Sequence, residues 1–297
     1  MKYYQGNKRT GCYFEGWYLK HQACGYTLAL IPSIHIDEQG RKSANLQVIT
    51  DQFAEAIPFP HASFHASENQ FQVLMGKNRF GADGISLDIQ TPELNVTGVL
   101  RYGPFTPLSY DIMGPFGKLP GMECKHGILS LCHTLTGTLV INGTAYCFDG
   151  GTGYIEKDWG SSFPSSYLWT QCNWDTFVTN SIMLSVARIP LGRVSFTGCI
   201  CSILYNGVQY RLATYLGARI LAAGRQEAVI CQGSSLLQIQ VPPGKGHLLQ
   251  APVRGTMGRM IRENPSGPVT YRFFHKGHLL FDETLPYASF EYVPGRK

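Results

Sequence analysis

Charge is scarce in this chain: Asp, Glu, Lys and Arg together supply only 15% of its 297 residues. Long apolar runs are missing as well. Each is broken by a polar residue, Gly or Pro within about ten positions, well short of the ~20 that a membrane-spanning helix needs. The formal net charge of +5 is spread along the chain with no Lys/Arg run, which gives nucleic-acid binding no support. Helical periodicity is nearly absent, with a weak candidate only over Leu212–Ala223. There is no G-x-S-x-G elbow, and Gly150-Gly151-Thr152-Gly153 lacks both the phosphate-loop lysine and the dinucleotide spacing. The opening residues Met1–Gly6 are polar and lack the apolar centre of a secretory signal, so a cytoplasmic location is expected. The nine cysteines, odd in number and set in apolar segments, are then expected to be reduced thiols.

What the chain has in plenty is turn residues and aromatics, with 33 Gly, 17 Pro and 12% Phe, Trp and Tyr. Short runs rich in β-branched and aromatic residues follow one another from Tyr13 to Val293, punctuated by Gly, Asp, Asn or Ser. Asn142-Gly143 and Asn206-Gly207 are hairpin signals between such runs. Tyr271–Phe281 reads as one of the later strands. This texture predicts an all-β protein, and so many strands would overfill one small barrel. Two β domains in tandem, 1–160 and 161–297, are the natural division. The Pro/Gly-rich stretch 103–121 is expected to be a long irregular loop.

Three segments could carry chemistry. In Gly153-Tyr154-Ile155-Glu156-Lys157-Asp158-Trp159-Gly160, a strand would turn Tyr154, Glu156 and Asp158 to one face and Ile155, Lys157 and Trp159 to the other. Carboxyls two positions apart lie roughly 6–7 Å from each other along a strand. On a buried face one of them could hold a proton and act as a general acid. The structural alternative is a set of ion pairs with arginines, with Lys157 solvated. The second segment, Phe14–His21, places Glu15, Trp17, Leu19 and His21 on one face, where a carboxylate beside an indole can bind a ligand hydroxyl. The third, Met122–Gly127, brings Glu123, Cys124 and His126 together after the Pro/Gly stretch. Cys and His here match no second ligand pair at metal spacing, so no metal is assigned.

Taken together, these blocks resemble the tocopherol cyclase family. Phe14-Glu15-Gly16-Trp17-Tyr18-Leu19-Lys20, Met122–Ser130 and Gly153–Gly160 carry the resemblance, and the last block extends through Ser162-Phe163-Pro164, Trp169, Gln171 and Asn173. The resemblance spans about the first 175 residues and is loose beyond them. It implies two tandem lipocalin-like antiparallel β-barrels, akin to carotenoid hydratase and AttH-type proteins, and a hydrophobic isoprenoid or prenylated aromatic ligand. A start unlike a transit peptide and a length below that of the plant enzymes point to a bacterial protein.

The reaction so implied is a cofactor-independent, acid-catalysed ring closure on a prenylated quinol. It needs a proton delivered to an alkene, a phenol oxygen held nearby, aromatic faces and no water. Asp158 and Glu156 are the candidate acids. Glu15, Trp17, Glu123, His126, Trp159 and Trp169 are the candidate substrate-binding residues. A non-catalytic carrier of a hydrophobic molecule, or an alkene hydratase using water as nucleophile, would use the same residues differently.

Overall fold

Alternating burial of β-branched and aromatic side chains drives nearly all of the regular structure into strands. Only four short 3-10 turns interrupt the strands among the described residues, which in this computed structural model are 2–119, 121–175, 180–191, 194–244 and 246–295.

The strands form two antiparallel sheets. The first runs in the order β4 (Ala54–Phe59), β3 (Lys42–Thr50), β2 (Tyr26–Ile36), β1 (Tyr13–Ala23), β12 (Gly151–Gly160) and β10 (Cys124–Ile141). It continues through β9 (Asn95–Tyr102), β8 (Gly84–Gln90), β7 (Asn78–Gly81), β6 (Gln72–Met75) and β5 (Phe64–Ala66), with β11 (Thr144–Cys147) beside β10. The second runs β16 (Val208–Ala213), β15 (Val194–Tyr205), β14 (Asn180–Leu191), β13 (Tyr167–Trp174), β22 (His278–Val293) and β21 (Thr256–His275). It ends with β19 (Ser235–Gln240), β18 (Glu227–Gln232) and β17 (Arg219–Ala223), while β20 (His247–Val253) pairs with β21.

The chain divides into two compact units, each discontinuous in sequence. Unit 1 comprises Met1–Pro107, Ile128–Ser162 and Leu249–Arg259; unit 2 comprises Leu108–Gly127, Phe163–Leu248 and Met260–Lys297. In unit 1 one face of the sheet buries Trp17, Leu19, Leu30, Leu46, Phe80, Leu100, Leu139 and Ile155 in a continuous core. Unit 2 has its own core around Ile182, Leu184, Cys201, Ile230, Tyr271 and Phe273. All nine cysteines are free thiols.

Two glycines mark where the first sheet bends. Gly98 lies opposite Leu139 and Gly137 opposite Leu100. With φ of 134° and 120°, an added Cβ would stand 2.4 Å from the Thr138 carbonyl oxygen and 2.3 Å from that of Val99. Adjacent strands approach there more closely than any side chain permits, which suits a local kink in a curved sheet.

Two local expectations fail. The Leu212–Ala223 segment is not helical: it closes β16, makes one 3-10 turn at Thr214–Leu216 and resumes as β17. Gly217, at φ 87°, ends that turn in the left-handed region and reverses the chain before a helix can propagate. Nor is Tyr271–Phe281 one strand. Lys276 and Gly277, at φ 51° and 79°, fold it into the hairpin joining β21 to β22. The described part of the 103–121 stretch is irregular apart from a 3-10 turn at Gly114–Lys118. Within unit 2 it is pinned by Arg211, whose guanidinium lies 4.3 Å from the Tyr110 ring centre and 4.9 Å from that of Tyr215.

Candidate active site

Strand β12 pairs with β1 over nine residues, and the register sorts the candidate residues onto two faces. Glu15 lies opposite Trp159, Trp17 opposite Lys157, and Leu19 opposite Ile155. These side chains belong to the core face. The other face carries Phe14, Tyr18 and Lys20 from β1, with Tyr154, Glu156 and Asp158 from β12; Gly16 pairs with Asp158 and Tyr18 with Glu156.

The core-face charges are tied into a closed set. Lys157 Nζ donates to Glu15 Oε1 at 2.8 Å, with both side chains fully buried. The same ammonium donates to the carbonyl oxygens of Lys2 (2.9 Å) and Tyr3 (3.1 Å). Its cation also lies 4.5 Å from the Trp159 ring centre. Glu15 accepts further hydrogen bonds from the Tyr13 hydroxyl (2.6 Å) and the Gln5 amide (2.9 Å). Burial lowers the Lys157 pKa, and the Glu15 charge opposes that shift. The Tyr13 hydroxyl is pushed far above its usual range, by burial first and the Glu15 carboxylate second.

Glu15 is therefore engaged as the anchor of a latch on the N-terminal segment, and its oxygens do not point toward Glu156 and Asp158. The expectation of a solvated Lys157 is corrected. The strand alternation holds, but the inward face is a dry core in which a lysine finds a carboxylate and two carbonyls. Trp17 is likewise a core residue, 1% exposed, with ring centres 6.3 Å from Tyr4 and 6.4 Å from Phe64. Trp17 and Trp159 thus belong to the face turned away from the two candidate acids.

The opposite face keeps its carboxylates beside aromatics. Glu156 is 4% exposed and accepts a 2.5 Å hydrogen bond from the Tyr154 hydroxyl. Burial, then the Glu156 charge and this bond, hold the Tyr154 hydroxyl well above its ordinary pKa, so it remains a donor. Phe14 and Tyr18 are buried on the same face, and Asp158 is partly exposed at its rim. A buried carboxylate held by a phenol, next to a second carboxyl that solvent or ligand can reach, is an arrangement able to donate a proton and to stabilise a cation.

The other candidates lie in unit 2. Glu123 is exposed just ahead of β10, and His126 is buried near the start of that strand. Trp169 is buried on β13, where it lies opposite Ser185 on one side and Glu291 on the other. Gln171, on the same face of β13, donates to Asn173 Oδ1 at 2.8 Å.

Sequence reasoning places His21 on a face with Glu15, Trp17 and Leu19 but misses its partners, and it misses a second group in unit 1. The partners of His21 lie in the core: the Tyr102 hydroxyl donates to His21 Nε2 at 2.5 Å, while His21 Nδ1–H donates to the Leu28 carbonyl at 3.2 Å. The His133 ring packs at a tilt between Tyr102 (4.5 Å) and Phe105 (4.9 Å). Burial depresses the pKa of His21 to about 4 and that of His133 to about 3, so both rings are neutral. The second group is Ser33, His35 and Asn45, on the same face as Glu156 and Asp158. The signal that could have found it is a serine and a histidine two apart within Leu28–Ile36, an otherwise apolar strand.

Comparison with known proteins agrees with this architecture. Residues 93–211 match the family described as tocopherol cyclase-like. The rice (Oryza sativa subsp. japonica) protein described as "Probable tocopherol cyclase, chloroplastic" is 26% identical over 129 residues, which is 42% of this chain and 27% of that protein. The chloroplastic tocopherol cyclase of Zea mays is 25% identical over 134 residues, or 44% and 25% of the two chains. The matched region thus spans about a quarter of the length of these curated relatives. Among solved structures, an AttH-type protein from Nitrosomonas europaea superposes with a TM-score of 0.52 at 14% identity, covering 94% of this chain and 91% of its own. CghA in complex with Sch210972 gives 0.57 at 9% identity, covering 96% and 89%. These two likenesses establish a shared all-β, lipocalin-like fold. The resemblance holds over residues 93–211, which contain the Glu123 and Glu156 blocks and not the Glu15 block: this chain is similar to the tocopherol cyclase-like family.

Proposed function

We propose that the chain is a cofactor-independent acid-catalyst that closes a ring on a prenylated quinol or a related isoprenoid-bearing aromatic. The observation that carries this reading is the Tyr154–Glu156–Asp158 face, where two carboxyls lie among Phe14, Tyr18 and Tyr154 in an otherwise charge-poor chain. Asp158, at the accessible rim, delivers its proton to the alkene. Glu156, held by Tyr154, and the surrounding aromatic faces stabilise the tertiary cation that results. The phenol oxygen attacks that cation, and its proton returns to the Asp158 carboxylate. The substrate loses no atom, and the acid is regenerated. The fold likeness and the single-faced core of each unit support closed lipocalin-like barrels as the scaffold.

The test is to incubate purified protein with a prenylated hydroquinone and to follow chromanol formation. Asp158→Asn is expected to lower turnover by about 10²–10⁴-fold, the usual contribution of a general acid, with unchanged folding by circular dichroism. Glu156→Gln should also lower turnover while leaving substrate affinity within a few-fold. Turnover that survives both substitutions removes the assignment.

A second reading is a carrier that binds the same class of molecule without chemistry. The Tyr154 bond favours it, because Glu156 is already satisfied from within. Native mass spectrometry of protein taken from its own host would then release an unchanged ligand.

A further inference from the structure

Unit 2 carries a hollow on the outer face of its sheet, where β18, β19 and β21 run side by side. Two rows of partners in register frame it. In the first, Glu227 lies opposite Gln240, Gln240 opposite Thr270, and Thr270 opposite Thr284. Two residues along, Val229, Gln238, Arg272 and Asp282 follow one another in the same way. Ala228, Ile239 and Tyr271, which alternate with these residues, are buried in the core, so both rows stand on the opposite, solvent-facing side. Between the rows the hollow has a volume of about 150 Å³ and reaches down to Ile239 on the middle strand. At ~30 Å³ per molecule, that is room for about five waters.

The polar groups around it divide into those already engaged and those available. Arg272 Nε and Nη2 both donate to Asp282 Oδ2, at 2.9 and 2.7 Å, and the Thr270 and Thr284 hydroxyls hydrogen-bond each other at 2.9 Å. The side chains of Glu227, Gln238 and Gln240 make no hydrogen bond to another described residue. The charges decide against an anionic occupant. Arg272 is neutralised by Asp282, and Glu227 adds a second carboxylate, so a phosphate or carboxylate ligand meets net repulsion. What the hollow offers is two carboxamides, a carboxylate acceptor and hydroxyls, beside the apolar surface of Val229.

We propose that this hollow binds a sugar, one pyranose ring lying against Val229 with its hydroxyls paired to Gln238, Gln240 and Glu227. A hydroxyl both donates and accepts, so it needs partners of both kinds. A carboxamide presents a donor and an acceptor in one plane and can serve two neighbouring hydroxyls at once. The Glu227 carboxylate accepts from a third, and the C–H face of the ring covers Val229. An apolar ring of the same size would strip water from the carboxamides and return no hydrogen bond. The site uses none of the residues assigned to ring closure, and it goes beyond that reaction: it gives the chain a means of holding a free sugar or the end unit of a glycan.

The test follows the side-chain amide resonances of Gln238 and Gln240 by nitrogen-resolved NMR while glucose, galactose and mannose are added in turn, each also as its methyl glycoside. Tetrahydropyran, the same ring without hydroxyls, and inorganic phosphate serve as controls. At least one sugar is expected to shift both amides saturably, with a dissociation constant of about 1 mM, as suits a ligand held from one side only. Equal binding of its methyl glycoside marks a site for the end unit of a glycan, and loss of binding on methylation marks a site for the free sugar; either outcome supports the proposal. Gln238→Ala and Gln240→Ala should each weaken binding by roughly tenfold, the loss expected when a hydrogen-bonding side chain is removed. Circular dichroism and thermal unfolding should stay unchanged in both, because neither side chain is buried. Three results would overturn the proposal: no saturable shift with any of the sugars up to about 100 mM, shifts reproduced by tetrahydropyran or by phosphate, or sugar binding that persists when both glutamines are replaced.

Discussion

Lys157 and Glu15 show how little of a residue's role a face assignment determines. Both lie on the core side of their strands, with no exposed surface and 142 positions of chain between them. Removing one partner would strand the other charge in a dry core. Glu15→Gln or Lys157→Met should therefore lose about 3–5 kcal/mol of stability, measured by urea unfolding. The double replacement Glu15→Leu with Lys157→Met should recover much of that loss, because no orphaned charge remains. A period of two sets Lys157 on the face away from Glu156 and Asp158, and the register of β1 with β12 agrees. The period does not tell which face is dry, since that depends on strands brought together from distant parts of the chain. For the same reason His35 is legible in the sequence only as a polar intrusion in an apolar run. Its neighbours Ser33 and Asn45 gain meaning from a register that no local pattern encodes.

At the level of strands and turns, the signals that worked had a local steric cause. Asn142-Gly143 and Asn206-Gly207 both take the paired positive φ values of a tight hairpin, 48° and 82° at the first, 48° and 78° at the second. The same turn is made by Cys24-Gly25, Arg254-Gly255 and Lys276-Gly277, where the first residue gives no warning. That is why Tyr271–Phe281 reads as a single strand. The Arg254-Gly255 tip belongs to unit 1, where Arg254 pairs with Glu38 at 3.1 Å and the Gly255 amide donates to the Ser161 carbonyl at 2.9 Å. Further along the same segment, the Gln47 side chain imitates a missing strand: its amide donates to the Gln250 carbonyl at 3.1 Å and its oxygen accepts from the Gln250 amide at 3.0 Å. Gln47→Leu should free this segment from β3 while its pairing with β21 remains. Amide exchange at Leu249–Val253 is expected to quicken by at least tenfold, corresponding to about 1–3 kcal/mol of lost local stability.

For the whole molecule the buried histidines set the response to acid. His21, His35 and His133 have pKa values lowered by burial to about 4, about 4 and about 3, against about 6.5 in an unfolded chain. Between those limits the unfolded state binds more protons, so stability is full above pH ~6.5 and falls as the pH drops toward ~4. Each histidine contributes a slope of about 1.4 kcal/mol per pH unit within that window. Urea titrations from neutral pH down to about 5 should follow the summed slope, and His35→Phe should make it shallower by about a third. The division of the chain adds a constraint of another kind, on synthesis. Unit 1 needs Leu249–Arg259, and the carbonyls of Lys2 and Tyr3 await the ammonium of Lys157. As the chain leaves the ribosome, β1 emerges long before β12, its partner, and the segment that completes unit 1 comes after most of unit 2. Glu38, Gln47 and the Ser161 carbonyl therefore wait for their partners until Leu249–Arg259 is made, so unit 1 should gain its full protection from amide exchange only once that segment has been synthesised.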